Sequence, residues 1–401
     1  MTEQLTTTVP QSSNRKLALE MTVAALARLL LNTSRRFAYP FAPALSRGLG
    51  VPLVSITSLI ALNQLTGILS PLFGPLSDRW GYRTMMLSGL GLMAVGMLAG
   101  GFLPFYMTVL IALFLAGLGK NIFDPALQAY VGERVPYQRR GLVVGLIEIS
   151  WAGATLVGIP VVGLLIERFG WRAPFFVMGG LALVSMAVLG ALFSGGSRRS
   201  IHDARMISFG QAWRLLSRSP AAMGMLAFSF LTSMANDNLF VIYGAWLEDS
   251  FALGVVALGT ATTVIGVAEL SGEVLVASLS DRIGLQRAVR IGIVLSALGY
   301  LMLPVIAQSL TLALVGLFLA FVVFEFTFVT AISLVTEVLP GARATMMASY
   351  IAVAGVGRVV GALIGGPLWL WGGLEAIGTV SAAIMMVAFV AFWQSARVEG
   401  S

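Results

Sequence analysis

Three stretches of this chain run about twenty residues without a single charge: Met85 to Tyr106, Ala173 to Ser194 and Ala376 to Trp393. A helix needs ~20 mainly apolar residues to cross the hydrocarbon core of a bilayer, so each stretch is one crossing long. The rest of the chain has too little polar surface to carry such segments in water. Of its 401 residues 58% are hydrophobic and 11% charged, against about 25% charged in a soluble domain. The sequence specifies an all-α integral membrane protein.

Apolar runs separated by Gly, Pro or charge number twelve, beginning near residues 17, 53, 84, 105, 139, 173, 221, 253, 289, 309, 343 and 374. No small-residue cleavage site follows the first, so it reads as a retained span and not as a signal peptide. The connections alternate in charge. The tails and one set of loops carry 17 Lys and Arg, the other set three, Arg47, Arg168 and Arg172. The positive-inside rule makes the first set, and with it both termini, cytoplasmic, as in a bacterial-type inner membrane. The +7 formal charge follows from this asymmetry and calls for no nucleic acid.

The longest polar stretch divides the chain into a bundle over 1–195, a cytoplasmic loop over 196–220 and a second bundle over 221–401. Within that loop, Met206 to Leu216 reads as a short amphipathic surface helix or a solvated linker. The two bundles repeat each other. Ser77-Asp78-Arg79-x-Gly81 returns as Ser280-Asp281-Arg282-x-Gly284 at an offset of 203, and Glu133, Pro136 and Arg139 return as Glu337, Pro340 and Arg343 at 204. Two motifs at nearly one offset indicate a duplicated six-helix unit, a plan on which transporters place a binding site between the repeats.

The stretch "GPLSDRWGYR" supplies a sharp polar turn between two apolar spans, with Gly81 free to take positive φ and the arginines suited to lipid phosphates. It resembles the loop 2-3 signature of the major facilitator superfamily through Gly74, Leu76, Asp78, Arg79, Gly81 and Arg83, departing at Ser77 and Tyr82. The resemblance implies two pseudo-symmetric six-helix bundles, a conformational latch at Gly74, Asp78, Arg79, Gly81 and Arg83, and a monomer moving a small-molecule substrate through membrane lipid. Two family patterns depart further. Helix 4 reads "LFLAGLG" from Leu113 to Gly119, with Leu113 where exporters of the family carry an Arg, and the proline of the helix 5 motif "WAGATLVGIPVVG" falls one place late, at Pro160.

Charges within a span face a cavity or a partner. They fall at Arg28, Arg35 and Arg36 (helix 1), Lys120 and Asp124 (helix 4), Glu148 (helix 5), Asp237 (helix 7), Glu269 and Glu273 (helix 8), Glu325 (helix 10) and Arg358 (helix 11). Helices 3, 6, 9 and 12 carry none; in the family these are the outer, lipid-facing ones. Arg28, Asn32, Arg35 and Tyr39 form one stripe on helix 1, with Arg28 ~16 Å into the membrane. Two readings stand for Arg28, substrate contact and pairing with an acid. For Arg35 and Arg36 pairing or an outer headgroup is expected. Lys120 can pair with Asp124 four residues on, or the two can serve substrate and proton separately, Asp124 lying before the helix-bending Pro125. Glu269 and Glu273 share a face, and like charges so close should hold a proton between them. Glu148 is a candidate gate.

The expected substrate-binding residues are therefore Arg28, Asn32, Lys120, Asp237, Asn238, Tyr243 and Arg358, and the expected proton carriers Asp124, Asp237, Glu269, Glu273 and Glu325. There is no cysteine, and the lone histidine, His202, lies in the central polar segment, so catalytic triads, thiolate metal sites and a buried His relay are ruled out. No phosphate-binding GxxxxGK[ST] loop occurs, no cofactor is called for, and no pairing of nucleophile and base suggests an enzyme. The sequence supports a secondary transporter, foremost a proton-coupled exporter of small amphipathic or charged molecules and next an importer of an anionic or zwitterionic metabolite. A receptor that binds ligand without moving it fits the repeat and the buried charges least well.

Overall fold

The structure, a computed structural model, describes residues 11–69, 73, 76, 77, 79–135, 143, 147–193, 214, 216–339 and 343–398. Ten described helices are long and apolar enough to cross a membrane, eleven if the bent pair Ala42–Leu49 and Leu53–Leu69 counts as one span. The last of them, Arg343–Val398, is twice the length of a crossing and leaves helical geometry at Gly372 and Gly373 (φ 58°). It therefore supplies two, consistent with the twelve expected.

The spans are α1 (Gln11–Arg36), α2 (Leu53–Leu65), α3 (Tyr82–Phe102), α4 (Tyr106–Arg134), α5 (Ile147–Phe169), α6 (Ala173–Leu192), α7 (Pro220–Phe240), α8 (Thr263–Ile283), α9 (Leu285–Ile306), α10 (Leu310–Val338), α11 (343–371) and α12 (374–398). Short helices Ala42–Leu49, Tyr243–Phe251 and Val255–Ala261 lie at one end of the bundle. Starts are written locally. Ser219 and Ser309 accept the backbone N–H of Ala222 and Leu312 at the heads of α7 and α10, the capping role for which serine is favoured.

The internal repeat is visible in the backbone. Gly81 (φ 87°) and Gly284 (φ 86°) adopt the same left-handed turn, their amides bond to the carbonyls of Ser77 and Ser280 at 2.9 and 3.0 Å, and those two serines bond back to Phe73 and Val276. A residue with a Cβ would be strained at that φ, which accounts for glycine in both copies. Gly74, Asp78 and the span Pro136 to Arg140 lie outside the described residues.

Within the first six helices α3 packs between α4 and α6; within the last six α9 packs between α10 and the α11–α12 segment, and α7 runs along the latter. The spans α6, α9 and α12, whose charges lie only near their ends, expose apolar side chains such as Val184, Leu298 and Val387, a surface suited to lipid. In α5 the helix widens to a π-turn over Ala154–Gly158, just before Pro160. Proline offers no N–H to the preceding turn, and a π-turn is one way for a helix to absorb the lost bond.

Candidate functional site

A cavity of about 170 Å³ lies between the first and last six helices, bordered by Arg35, Arg36, Gln64 and Trp151 on one side and by Asp237, Phe240, Glu269, Phe324, Glu325 and Arg358 on the other. Its position follows from the helices that carry charge: α1, α5, α7, α8, α10 and α11 all contribute.

The charges are matched unevenly. Arg36 forks onto Glu269, Nη2 to Oε1 at 2.6 Å and Nη1 to Oε2 at 3.1 Å, and stacks on Trp151 at 4.5 Å. Two charges that close in a buried setting are held by geometry as well as attraction, since each nitrogen has its own oxygen. Arg358 brings Nε to 3.9 Å from Asp237. Asp237 in turn accepts the Tyr39 hydroxyl at 3.3 Å; Tyr39 accepts from the Gln64 amide, and Gln64 accepts from Arg35. Every donor in this chain faces an acceptor, so it runs unbroken from Arg35 to Asp237. Glu325 and Glu273 have no ion pair among the described residues.

Asp237 and Arg358 thus line the cavity, as do Glu269 and Glu325, whereas Arg28, Asn32, Lys120, Asp124, Asn238 and Tyr243 stand back from it. Arg28 bonds Asp124 (3.1 Å), Glu148 (2.9 Å) and the carbonyl of Ile147, and Lys120 also pairs with Asp124. This second cluster lies wholly within the first six helices. Asn32 reaches Ser150, Asn238 reaches Ser381, and Tyr243 shares a hydrogen bond with Thr262. Glu273 is exposed and near enough to Glu269 and Glu148 to feel their charge. Of the latch residues, Arg79 is exposed and Arg83 bonds the carbonyl of Gly190 on α6.

The two sets of helices meet at the end where α1 gives way to α2. There α2 packs on α11 and Val255–Ala261 on α5, an approach that needs glycine: a Cβ at Gly366 would stand 2.7 Å from Thr57 Oγ1, and one at Gly259 3.3 Å from the Ile159 carbonyl. Arg47 and Glu248 clasp the same end with a salt bridge.

The profile of the Major Facilitator Superfamily matches residues 24–236 and, a second time, residues 225–400. The chain belongs to the major facilitator superfamily. This facilitator is 27% identical over 329 residues to the uncharacterized MFS-type transporter YceJ of Bacillus subtilis, covering 82% of this chain and 83% of that one. It is 23% identical over 397 residues to the multidrug resistance protein MdtG of Citrobacter koseri, covering 94% and 95%. Its fold resembles the crystal structure of the nucleoside transporter NupG with a TM-score of 0.80 at 14% identity, over 94% of this chain and 99% of that one. It is a membrane transporter and not an enzyme.

The expectation for Arg35 and Arg36 is a paired acid or an outer headgroup. In the facilitator Arg36 has its acid and Arg35 faces the cavity without one. Gln64 has one signal in the sequence, the adjacent amides Asn63 and Gln64 within an apolar run, where a buried amide demands a partner. For Trp151 the sequence held none beyond its place in the helix 5 motif.

Proposed function

We propose that this facilitator is a proton-coupled secondary transporter that works by alternating access and exports small amphipathic or charged molecules. The two six-helix units, 1–195 and 221–401, would rock about the cavity, with 196–220 joining them on the cytoplasmic side. The observation that carries the reading is the cavity, where side chains from both units meet in polar bonds that a rocking motion can make and break. Among the described residues Arg36–Glu269 and Tyr39–Asp237 are such bonds, and both join α1 or its end to the last six helices. The acids without a cation, Glu273 and Glu325, are the candidates to carry a proton through the cycle. The multidrug resistance protein among the relatives supports export, and Asp78 and Arg79 are proposed as the latch of the opposite, cytoplasmic end.

A second reading, uptake of an anionic or zwitterionic metabolite by symport, draws support from Arg35, a cavity cation with no acid of its own. One experiment separates the two. Purified protein in liposomes is given a pH gradient of either sign. Antiport accumulates substrate in an acidic lumen and symport in an alkaline one; no gradient-driven flux of ethidium or of small organic anions in either direction would sink both readings.

A further inference from the structure

Three cations and three acids line the cavity, Arg35, Arg36 and Arg358 against Asp237, Glu269 and Glu325, yet they are not joined one to one. Arg36 is fully engaged by both carboxylate oxygens of Glu269. Among the described residues Arg35 donates only to neutral Gln64, and its Nε is buried with no partner. The acids whose charge reaches it, Asp124 and Asp237, are already engaged by Lys120 and Arg28 and by Arg358. Glu325 does not answer for it either, making no ion pair among the described residues. Arg358 approaches Asp237 through Nε while its side chain remains 29% exposed. No hydrogen bond from the Arg358 η nitrogens exists among the described residues.

A buried guanidinium without a counter-ion is costly. Arg35 is buried with an unbonded Nε, and Arg358, half-buried beside Asp237, keeps its η nitrogens free of hydrogen bonds among the described residues; one incoming anion can satisfy both, and the planar fork of arginine matches a carboxylate. Beside them the wall is aromatic: Phe240 packs on Phe321 with ring centres 5.4 Å apart, and Phe324 stacks on Phe328 at 5.8 Å. We propose that Arg35 and Arg358 together grip the acidic head of an amphipathic organic monoanion, whose apolar body lies against Phe240, Phe321, Phe324 and Phe328. This rests on the transporter reading and names its substrate class. It also gives Arg35 a specificity role that its helix position alone did not suggest.

The test compares three single-ring compounds that differ in the head: benzoate, benzamide and benzylammonium. Each is titrated into the full-length protein in detergent while the unfolding temperature is followed, since a ligand of the folded state raises it by mass action. Benzoate should stabilise, and the other two should not. Arg35→Gln and Arg358→Gln should each weaken benzoate by about tenfold or more, the loss expected for hydrogen bonds to a charged group, and Arg35→Lys by less. Equal stabilisation by benzamide or benzylammonium in the unsubstituted protein would overturn the proposal without recourse to any variant, and so would undiminished benzoate binding by a folded Arg35→Gln protein. If benzoate binds as described but no solute moves under a pH gradient, the anion site stands and the transport reading falls. Proton-driven ethidium flux with no response to benzoate would do the reverse.

Discussion

The hydroxyl of Tyr39, just past the end of α1, donates to Oδ1 of Asp237 on α7, 198 residues away, at 3.3 Å. It is the link that turns Gln64 and Arg35 on one side and Arg358 on the other into a single polar chain. Tyr39→Phe should cost about 1–3 kcal/mol, because a buried carboxylate oxygen and the Gln64 amide both lose a partner. Denaturant unfolding of the purified protein measures it, and a change under ~0.5 kcal/mol would show that the bond is dispensable.

Arg36 and Glu269 are both buried. Removing one partner of a buried pair leaves a stranded charge, so Arg36→Ala should destabilise by about 3–5 kcal/mol, while the double variant Arg36→Ala with Glu269→Ala should recover much of that. Additive losses in the same unfolding assay would refute the coupling.

Arg47 and Glu248 form an exposed bridge, with side chains 60% and 24% accessible. Such pairs add at most about 1 kcal/mol, a small part of the fold's stability but enough to shift a two-state gate by about fivefold. Because the chain has no cysteine, Thr57→Cys, at the contact with Gly366, would carry the only thiol. Adding Arg47→Glu should speed its labelling by a maleimide several-fold, and an unchanged rate would mean that the bridge does not hold this end closed.

Gly361 lies where α11 crosses α7, and a Cβ there would come within 2.5 Å of the Met234 carbonyl and 3.0 Å of Asp237 Cβ. Backbone cannot give way as a side chain can, so Gly361→Val should push α11 off α7, with a loss of a few kcal/mol of the kind overpacking brings. It should also weaken any ligand that depends on Arg358, three residues earlier on the same helix. Wild-type stability in Gly361→Val would be incompatible with this packing.

Glu269 and Glu273 sit on one face of α8 but in different company: the first pairs with Arg36, and the second is exposed and has no ion pair among the described residues. Glu269→Gln should therefore show itself as lost stability. Glu273→Gln should leave unfolding unchanged and shift the pH optimum of gradient-driven transport. An unmoved optimum would assign the proton elsewhere, with Glu325 the next residue to test.

Much of this protein could be read one residue at a time. Membrane crossing is a sum of local transfer energies, so the apolar runs were legible without any partner. The glycine turns at Gly81 and Gly284 were equally so, since only glycine takes that φ cheaply and both copies carry it. The intramembrane charges were visible for the same reason, each being costly wherever it stands.

Which charge meets which was not legible, because that depends on how helices far apart in sequence are rotated and tilted against each other. Lys120 and Asp124 were the exception: four residues apart on one helix, they meet by helical geometry alone, although the sequence did not reveal Arg28 beside them. Arg36 is 233 residues from Glu269, and its neighbour Arg35, one position away, points elsewhere because adjacent residues leave a helix about 100° apart. Only the packing of α1 on α5 and of α5 on α8, set by small residues such as Gly158 against Thr33 and Gly266 against Thr155, decides that one arginine is paired and the other is left facing the cavity.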